Sequence, residues 1–484
     1  MKISILEENT THQIKHNFKV LSKDNKNNKR DNNSSILSQK LSNKILDFFA
    51  EEELEQIAQE SGFISKESKL SGYQFLDALL FSKTNFEQLS LNDLSGQLQD
   101  KHNLTISKQG IDKRFSKKSV AFFKMLIQKF IAKKINTEND LVPVTSFARV
   151  RIKDSTCFQL PEEMHEKYPG SGGSASKAAV RIQFEYDYIS GEVITLTIHP
   201  FTYQDTKEAK DTTSDILEKD LIIRDLGYVN IPVLQEIENK KAYYLNRIHT
   251  NVLIFEKNKD GNFVKLNYKA IEKTMQKKGI CRLEKEVYIG AEYKHKTRIM
   301  LELVPEDIKN SRIRTIRKNA KRKKRKVNEE NIAKAAFTIL ITNATKESLP
   351  MENMYPIYRL RWQIELMFKV WKSIGQLDKV KRMKVERFET CLYARLLLII
   401  INWNILWQIQ KHIYKEMGIL ISFIKAFKTF KDRMDEFRNI TMKKVGSLSC
   451  YINKIYEMSP RNHILEKRNN KFSSYEILML LQNT

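Results

Sequence analysis

Residues 355–372 read YPIYRLRWQIELMFKVWK, an apolar stretch with a few polar side chains at helical spacing. At about 100° per residue, a helix gathers four of them within an arc of about 60°: Tyr358, Arg361, Glu365 and Lys372. Most of the remaining circumference is apolar, so we expect a largely buried helix with Pro356 in its first turn and Gly375 just past its end. The narrow polar stripe would then face a cleft. The alternative, a solvated face with one ion pair, fits poorly with so apolar a helix.

Two further acids lie where predicted strands end. Val150, Ile152 and Asp154 alternate with charged residues, which puts Asp154 on the apolar side of a strand. Asp225 follows the short buried strand at residues 221–223. Because active sites of open α/β sheets gather at the carboxyl ends of strands, we expect both acids at one edge. Turn initiation is the alternative for a lone Asp at a strand end.

The spacing Tyr358-x2-Arg361-x3-Glu365-x6-Lys372 resembles the signature of bacterial DDE transposases of the insertion-sequence-four family, to which the Tn-five enzyme is related. Further matches are Asp154-Ser155-Thr156, Asp225-Leu226-Gly227-Tyr228, Arg247 at a strand end and Thr342-Asn343 before the last helix. The resemblance spans about residues 142–411. It implies an α/β fold: a ribonuclease-H-like catalytic core with a β-rich insertion, flanked by helical N-terminal and C-terminal regions.

The resemblance also implies roles for single residues. Asp154, Asp225 and Glu365 would bind catalytic Mg²⁺, for which Mn²⁺ could substitute; two such ions about 3.5–4 Å apart stabilise the attacking and leaving oxygens of a phosphodiester. Tyr358, Arg361, Lys372 and Arg247 would contact DNA phosphates at the transposon end. Phe337 is the nearest candidate where relatives stack a Trp on a flipped base, and a core Phe on a buried strand is the alternative.

Composition agrees with a nucleic-acid partner. The 484 residues carry a formal net charge of +26, which indicates a polyanionic partner such as double-stranded DNA. A membrane surface is the alternative, but the sequence contains no amphipathic anchor that would favour it. The four cysteines form no CxxC pair, so we expect reduced thiols. The N-terminus has no long apolar core, and we expect a protein of the bacterial cytoplasm, nucleoid-associated when bound to DNA. Residues 396–401 are too short an apolar run for a membrane span and indicate a buried helix.

The chain divides by pattern into six segments. Ser107 can cap a helix whose Lys108, Gln109, Lys113 and Arg114 are free to face DNA, as in a helix-turn-helix, although an ordinary helical domain is as good an account. Ten of the fifteen residues in 312–326 are Lys or Arg, including Lys323 and Lys324, and such a density of like charge favours phosphate binding over a solvated tail. We predict a flexible basic arm at 1–40, a helical DNA-binding domain at 41–140, core segments at 141–248 and 336–378, a β-rich insertion at 249–335 and a helical region at 379–484.

Three functions compete at this point. The first is a cut-and-paste transposase that works as a homodimer bridging two DNA ends. The second is a catalytically silent DNA-binding protein derived from one, against which the three intact acids argue. The third is another ribonuclease-H-like nuclease, which gives no reason for the Tyr-Arg-Glu-Lys spacing.

Overall fold

The computed structural model divides the chain into two compact units. The described residues up to 134 and residues 386–466 form the first, and the described residues from 146 to 385 with residues 473–481 form the second. Most of the predicted basic arm lies outside the described residues. The structure describes residues 30–65, 68–82, 88–134, 146–173, 175–292, 294–466 and 473–481.

The described N-terminal part of the first unit is helical, as predicted. Ser107 caps the helix at Lys108, with its hydroxyl accepting from the Gly110 N–H at 3.2 Å. Arg114 is not free to face out: it is half-buried and donates to the Leu70 carbonyl at 3.0 Å. The helices are α1 (Arg30–Phe48), α2 (Glu51–Glu60), α3 (Gly72–Leu80), α4 (Leu91–His102), α5 (Lys108–Arg114) and α6 (Lys117–Ala132).

A large mixed sheet organises the second unit and confirms the predicted α/β class. Its strands are β1 (Arg149–Leu160), β2 (Ala178–Asp187), β3 (Val193–Pro200), β4 (Asp220–Arg224), β5 (Tyr243–Arg247), β6 (Ile254–Lys257), β7 (Phe263–Lys265), β8 (Arg282–Ile289), β9 (His295–Leu303) and β10 (Phe337–Thr342). Within the described residues they form one sheet in the order β3-β2-β1-β4-β5-β10-β9-β8-β6-β7. Strands β1, β4 and β5 are parallel, while β2 and β10 run antiparallel to their neighbours. β1 and β4 are therefore adjacent, as expected.

Helices connect these strands and cover the sheet. They are α7 (Asp205–Asp211), α8 (Ile231–Asn239), α9 (Tyr268–Lys278), α10 (Glu306–Arg322), α11 (Glu329–Lys334), α12 (Met351–Tyr358) and α13 (Gln363–Ser373). Sequence patterns missed α9, although Asn267 caps its start and Gly279, in a left-handed conformation, ends it. The basic run at residues 312–326 begins within α10, and none of the residues of this helix is buried.

The predicted single helix at 355–372 is two helices. α12 begins at Met351, so Pro356 lies inside it rather than in its first turn, and a 3₁₀ turn at Arg359–Trp362 separates it from α13. Because proline lacks an N–H, Pro356 leaves one i→i−4 bond unmade within α12, and the change to 3₁₀ geometry follows at the next turn. The buried face is also narrower than predicted, because Trp362 is 59% exposed and Leu366 is 42% exposed.

The C-terminal helices are α14 (Val385–Met417), α15 (Phe423–Asp432), α16 (Met434–Thr441), α17 (Leu448–Asn462) and α18 (Ser474–Met479). α14 is long and apolar enough to cross a bilayer, yet 83% of its most apolar window is buried inside the protein. A core helix passes the same test, in line with the buried helix expected here. The four cysteines are free thiols, as expected.

A buried ion pair joins the N-terminal and the C-terminal helices of the first unit. Asp77 of α3 is fully buried and accepts two hydrogen bonds from Arg438 of α16, at 2.6 and 2.5 Å. His102 of α4 approaches the same carboxylate at 2.7 Å. An unpaired Asp here would be costly to bury, so the pair fixes the register between segments more than 300 residues apart.

Candidate active site

Strands β1 and β4 bring two of the predicted acids to one edge of the sheet. Their parallel ladder ends with Lys153 opposite Arg224, and Asp154 and Asp225 follow directly. Asp225 ends its strand, as predicted. The same prediction for Asp154 is wrong, because β1 continues to Leu160 through its pairing with β2. Only the pairing with β4 stops just before Asp154.

One guanidinium, that of Arg361, contacts all three predicted acids. Its Nη1 lies 2.6 Å from Asp154 Oδ2, and its Nη2 lies 3.2 Å from Glu365 Oε1, one helical turn further on. Its Nε lies 3.8 Å from Asp225 Oδ1. The Arg361 side chain is 9% exposed, while those of Asp225 and Glu365 are 46% and 45% exposed. The acids therefore converge on a buried cation and remain open to solvent on their other side.

The cluster carries more negative than positive charge. Burial raises the pKa of the Asp154 carboxyl to about 6; Arg361 and the Ser155 amide oppose that rise, and Asp225 and Asp205 add to it. Burial alone would lower the pKa of Arg361, but the surrounding carboxylates raise it and hold the guanidinium charged. Such mutually perturbed groups in a cleft are typical of functional sites and favour a further cation.

The other signature residues border the acids. Tyr358 is buried, and its Oη has no hydrogen-bond partner within ordinary distance among the described residues; the same holds for Arg361 Nε. A buried hydroxyl without a partner costs about 1–3 kcal/mol unless a ligand satisfies it, and Arg361 Nε has only its 3.8 Å ion pair with Asp225. Lys372 Nζ donates to the Cys157 carbonyl on β1 at 3.2 Å. Arg247 is exposed at the end of β5, close enough to oppose the rise that burial causes in the pKa of Tyr358.

A fourth acid near the site, Asp205, escaped sequence reasoning. Its Oδ1 accepts hydrogen bonds from Ser155 Oγ at 3.1 Å, Arg181 Nη1 at 2.9 Å and Gln183 Nε2 at 2.9 Å. A Cβ at Gly227 would come within 3.2 Å of its other oxygen, which gives the glycine of Asp225-Leu226-Gly227-Tyr228 a steric reason. Its position at the start of α7 could have marked it in the sequence. Acidic residues are common at helix N-termini, however, so the position alone does not indicate a functional role.

Two other predictions fall elsewhere in the second unit. Phe337 is 3% exposed and packs against the Tyr268 ring with a centroid distance of 6.1 Å, which is the environment of a core residue. Its stacking role stays a prediction that this position does not favour. Lys323 and Lys324 are exposed just after α10.

The donors at the site suit a hard divalent cation. Asp154, Asp225 and Glu365 offer only carboxylate oxygens, which Mg²⁺ and Mn²⁺ prefer, and their excess charge is only partly met by Arg361. As they stand, no three acidic, His or Cys side chains among the described residues are grouped closely enough to hold one ion. The chemistry fits a divalent metal, and the guanidinium sets the present spacing.

Comparison with known proteins adds independent information. A family model described as a transposase DDE domain matches residues 145–403, more than half of the chain. Over 438 residues the chain is 29% identical to the transposase for insertion sequence element IS231E of Bacillus thuringiensis subsp. finitimus, covering 87% of this chain and 90% of that protein. Over 456 residues it is 28% identical to the transposase for insertion sequence element IS1151 of Clostridium perfringens, covering 91% and 96%.

Among solved structures, a cryo-EM structure of the piggyBac transposase synaptic complex with hairpin DNA overlays 92% of this chain and 88% of that one. The TM-score is 0.42 and the sequence identity 11%, so this overlay supports no statement about fold or mechanism.

Proposed function

The chain belongs to the family of transposase DDE domains, and on that premise we propose that it is a cut-and-paste DNA transposase. It binds the inverted-repeat ends of its insertion sequence, cleaves phosphodiester bonds there and joins the 3′-OH ends to target DNA. The observation that carries the proposal is the convergence of Asp154, Asp225 and Glu365, from three distant segments, on one guanidinium. Membership of the insertion-sequence-four family, and the relation to the Tn-five enzyme, rest on the signature spacing and belong to the same proposal.

The sheet supports a ribonuclease-H-like core. Strands β1 to β5 lie in the order β3-β2-β1-β4-β5, with an antiparallel hairpin on one side and parallel strands on the other. Strands β6 to β9 and helices α9 to α11 fall within the proposed insertion at residues 249–335.

In this proposal the three acids hold the catalytic metal. Two Mg²⁺ ions, when bound, would polarise the scissile phosphodiester and lower the pKa of an attacking water, and Mn²⁺ would do the same. The protein's own part is to place three carboxylates at the sheet edge through the β1–β4 ladder and the first turn of α13. Asp205 keeps β1, β2 and the turn after β4 in register behind them.

The cationic and phenolic residues around the acids position the DNA. Arg361 and Lys372 bind phosphate oxygens, the first through its planar fork and the second as a point charge. The orphaned Tyr358 Oη donates to a further phosphate oxygen, and exposed Arg247 extends the basic border. Trp362 presents an exposed ring on which an unpaired base can stack.

A strand-transfer assay tests the proposal. The substrate is a duplex carrying the inverted repeat that flanks the coding DNA, with a free 3′-OH, and the target is a plasmid. We expect Mg²⁺-dependent joining that Asp225→Asn lowers by at least about a thousandfold. Asp260→Asn, which changes an exposed acid in the β6–β7 turn, serves as the matched control and should leave joining intact.

The other outcomes separate the alternatives. DNA binding without cleavage or joining by the wild-type protein would identify a silent derivative of a transposase. Nicking without joining to a second duplex would identify another nuclease. A homodimer on DNA is part of the proposal, and mass measurement of the complex with two ends checks it.

The basic run has its own test. With Lys323→Ala and Lys324→Ala together, the slope of log affinity against log salt concentration should become shallower by about 2, since each phosphate contact contributes about 0.9. The control replaces Lys277 and Lys278, an exposed pair at the end of α9, and should change the slope less. An unchanged slope in the first variant would make the run a solvated tail.

A further inference from the structure

Arg361 lies where the proposed function needs a metal ion. Its guanidinium contacts carboxylate oxygens of all three acids, and the contact with Asp154 is short, at 2.6 Å. A divalent ion needs the same oxygens at about 2.0–2.1 Å. The two cations therefore compete for one set of donors, and the side chain of Arg361 must move for the ion to enter.

The present contacts do not satisfy all the N–H donors of Arg361. Its buried Nε makes no hydrogen bond to any residue that the structure describes, and its partners Asp225 and Glu365 are nearly half exposed. A single positive charge also leaves three carboxylates only partly compensated. A phosphate oxygen pair would satisfy the guanidinium fork better than these acids do.

The backbone around Arg361 is suited to such a movement. The residue lies on the 3₁₀ turn that separates α12 from α13. Short 3₁₀ stretches within a helical run are frequent hinges. The next residue, Trp362, is 59% exposed, so solvent lies directly beside the turn.

We propose that Arg361 is an internal counterion that holds the three acids in the metal-free protein and is exchanged for divalent cations when a DNA phosphate takes up its guanidinium. The inference rests on the proposed function and adds a regulation to it. DNA and metal would then bind with positive coupling, because each favours the state in which Arg361 has left the acids. Metal would enter chiefly when DNA is in place.

Direct measurement of Mn²⁺ binding by electron paramagnetic resonance tests this without any activity readout. The full-length protein is titrated alone and with the inverted-repeat duplex, and binding to DNA alone is subtracted. We expect DNA to tighten Mn²⁺ binding to the wild-type protein by about tenfold. Arg361→Gln should bind Mn²⁺ about tenfold more tightly without DNA, and DNA should add little further.

A matched control and a site control make each result decisive. Arg359→Gln removes the same charge two residues away, from a side chain that makes no ion pair with the three acids in the described structure, and should behave as wild type. Equal Mn²⁺ affinity of the wild-type protein with and without DNA would overturn the exchange, whether or not the variant folds. So would an Arg361→Gln affinity equal to that of the wild type.

Asp225→Asn distinguishes this failure from failure of the proposed function. If Asp225→Asn loses Mn²⁺ binding and Arg361→Gln has no effect, the proposed exchange is wrong and the proposed metal site is supported. Unchanged Mn²⁺ binding in Asp225→Asn removes the metal site, and the exchange falls with it.

Discussion

Strand β1 contributes to two charge clusters that differ in balance and exposure. Arg151 and Lys153 belong to a buried cluster in which cations and acids alternate. Arg151 pairs with Glu185 at 2.9 Å and with Asp220 at 3.1 Å, and Lys153 pairs with Glu208 at 2.7 Å. These side chains are 0–2% exposed. Every acid in this cluster has a cation beside it.

The neighbouring residue, Asp154, belongs to the other cluster. There three acids share one guanidinium, and two of the three are nearly half exposed. A buried cluster whose charges are balanced serves the stability of the fold. A solvent-exposed cluster with excess negative charge can also bind a cationic ligand. Two adjacent residues of β1, Lys153 and Asp154, therefore belong to clusters of different character.

The largest expected effect comes from unbalancing the closed cluster. Glu185→Gln leaves Arg151, Lys153 and Arg224 without their shared acid in a site closed to water. We expect the free energy of unfolding to fall by about 3–5 kcal/mol, measured by denaturant titration. Glu218→Gln, an exposed acid just before β4, should change it by less than about 0.5 kcal/mol. Equal effects would show that stability does not depend on Glu185 as the shared counterion of the closed cluster.

Acid should weaken the closed cluster in a way that depends on Glu185. Burial alone would raise the pKa of this carboxyl, but Arg151, Lys153 and Arg224 hold it well below its ordinary value of 4.5. Below pH 4.5 the unfolded chain takes up a proton that the folded protein does not, so stability falls as the pH drops. The slope should reach about 1.4 kcal/mol per pH unit for this group. Glu185→Gln should remove that part of the slope, and an identical slope would contradict the assignment.

The sequence was enough to predict the open cluster but not the closed one. Asp154 and Asp225 were placed at predicted strand ends, and the resemblance that rests on the Tyr-Arg-Glu-Lys spacing implied that Glu365 would join them. For Arg151 and Lys153, alternation indicated the side away from the apolar residues, yet both are fully buried. Their partners come from β2, β4 and α7, and no local pattern shows that acids will lie opposite them.

The counterion role of Arg361 was equally out of reach. The helical wheel placed Arg361 and Glu365 on one stripe, which is correct, and predicted one continuous helix, which is not. Which residue fills the space among three converging acids depends on the 3₁₀ turn at Arg359–Trp362, which the apolar pattern does not show. The α/β fold class was expected from the resemblance, whereas helix α9 was missed despite its Asn267 cap and final Gly279, because the residues on both sides of it were interpreted as short strands.

A smaller effect is expected for Asp205, which lies between the two clusters. Asp205→Asn weakens three hydrogen bonds to one oxygen, two of them from Ser155 and Arg181. The side chain is 23% exposed, so we expect unfolding free energy to fall by about 1–2 kcal/mol. Asp211→Asn, at the exposed end of the same helix, is the control. It should lower the free energy of unfolding by only about a few tenths of a kcal/mol. A full loss of joining with unchanged stability would instead group Asp205 with the open cluster.

The smallest change in stability is expected where the change in function is large. Glu365→Gln removes one half-exposed ion pair, an i,i+4 contact with Arg361 at 3.2 Å, and also relieves repulsion from Asp154 and Asp225. These two terms oppose each other, and exposed pairs of this kind contribute about 0.3–0.5 kcal/mol. Denaturant titration should therefore give a free energy of unfolding within about 0.5 kcal/mol of the wild type, while strand joining is lost. A destabilisation as large as that of Glu185→Gln would mean that Glu365 is held as a structural charge, because only a closed cluster responds to the loss of one acid by leaving buried cations unpaired.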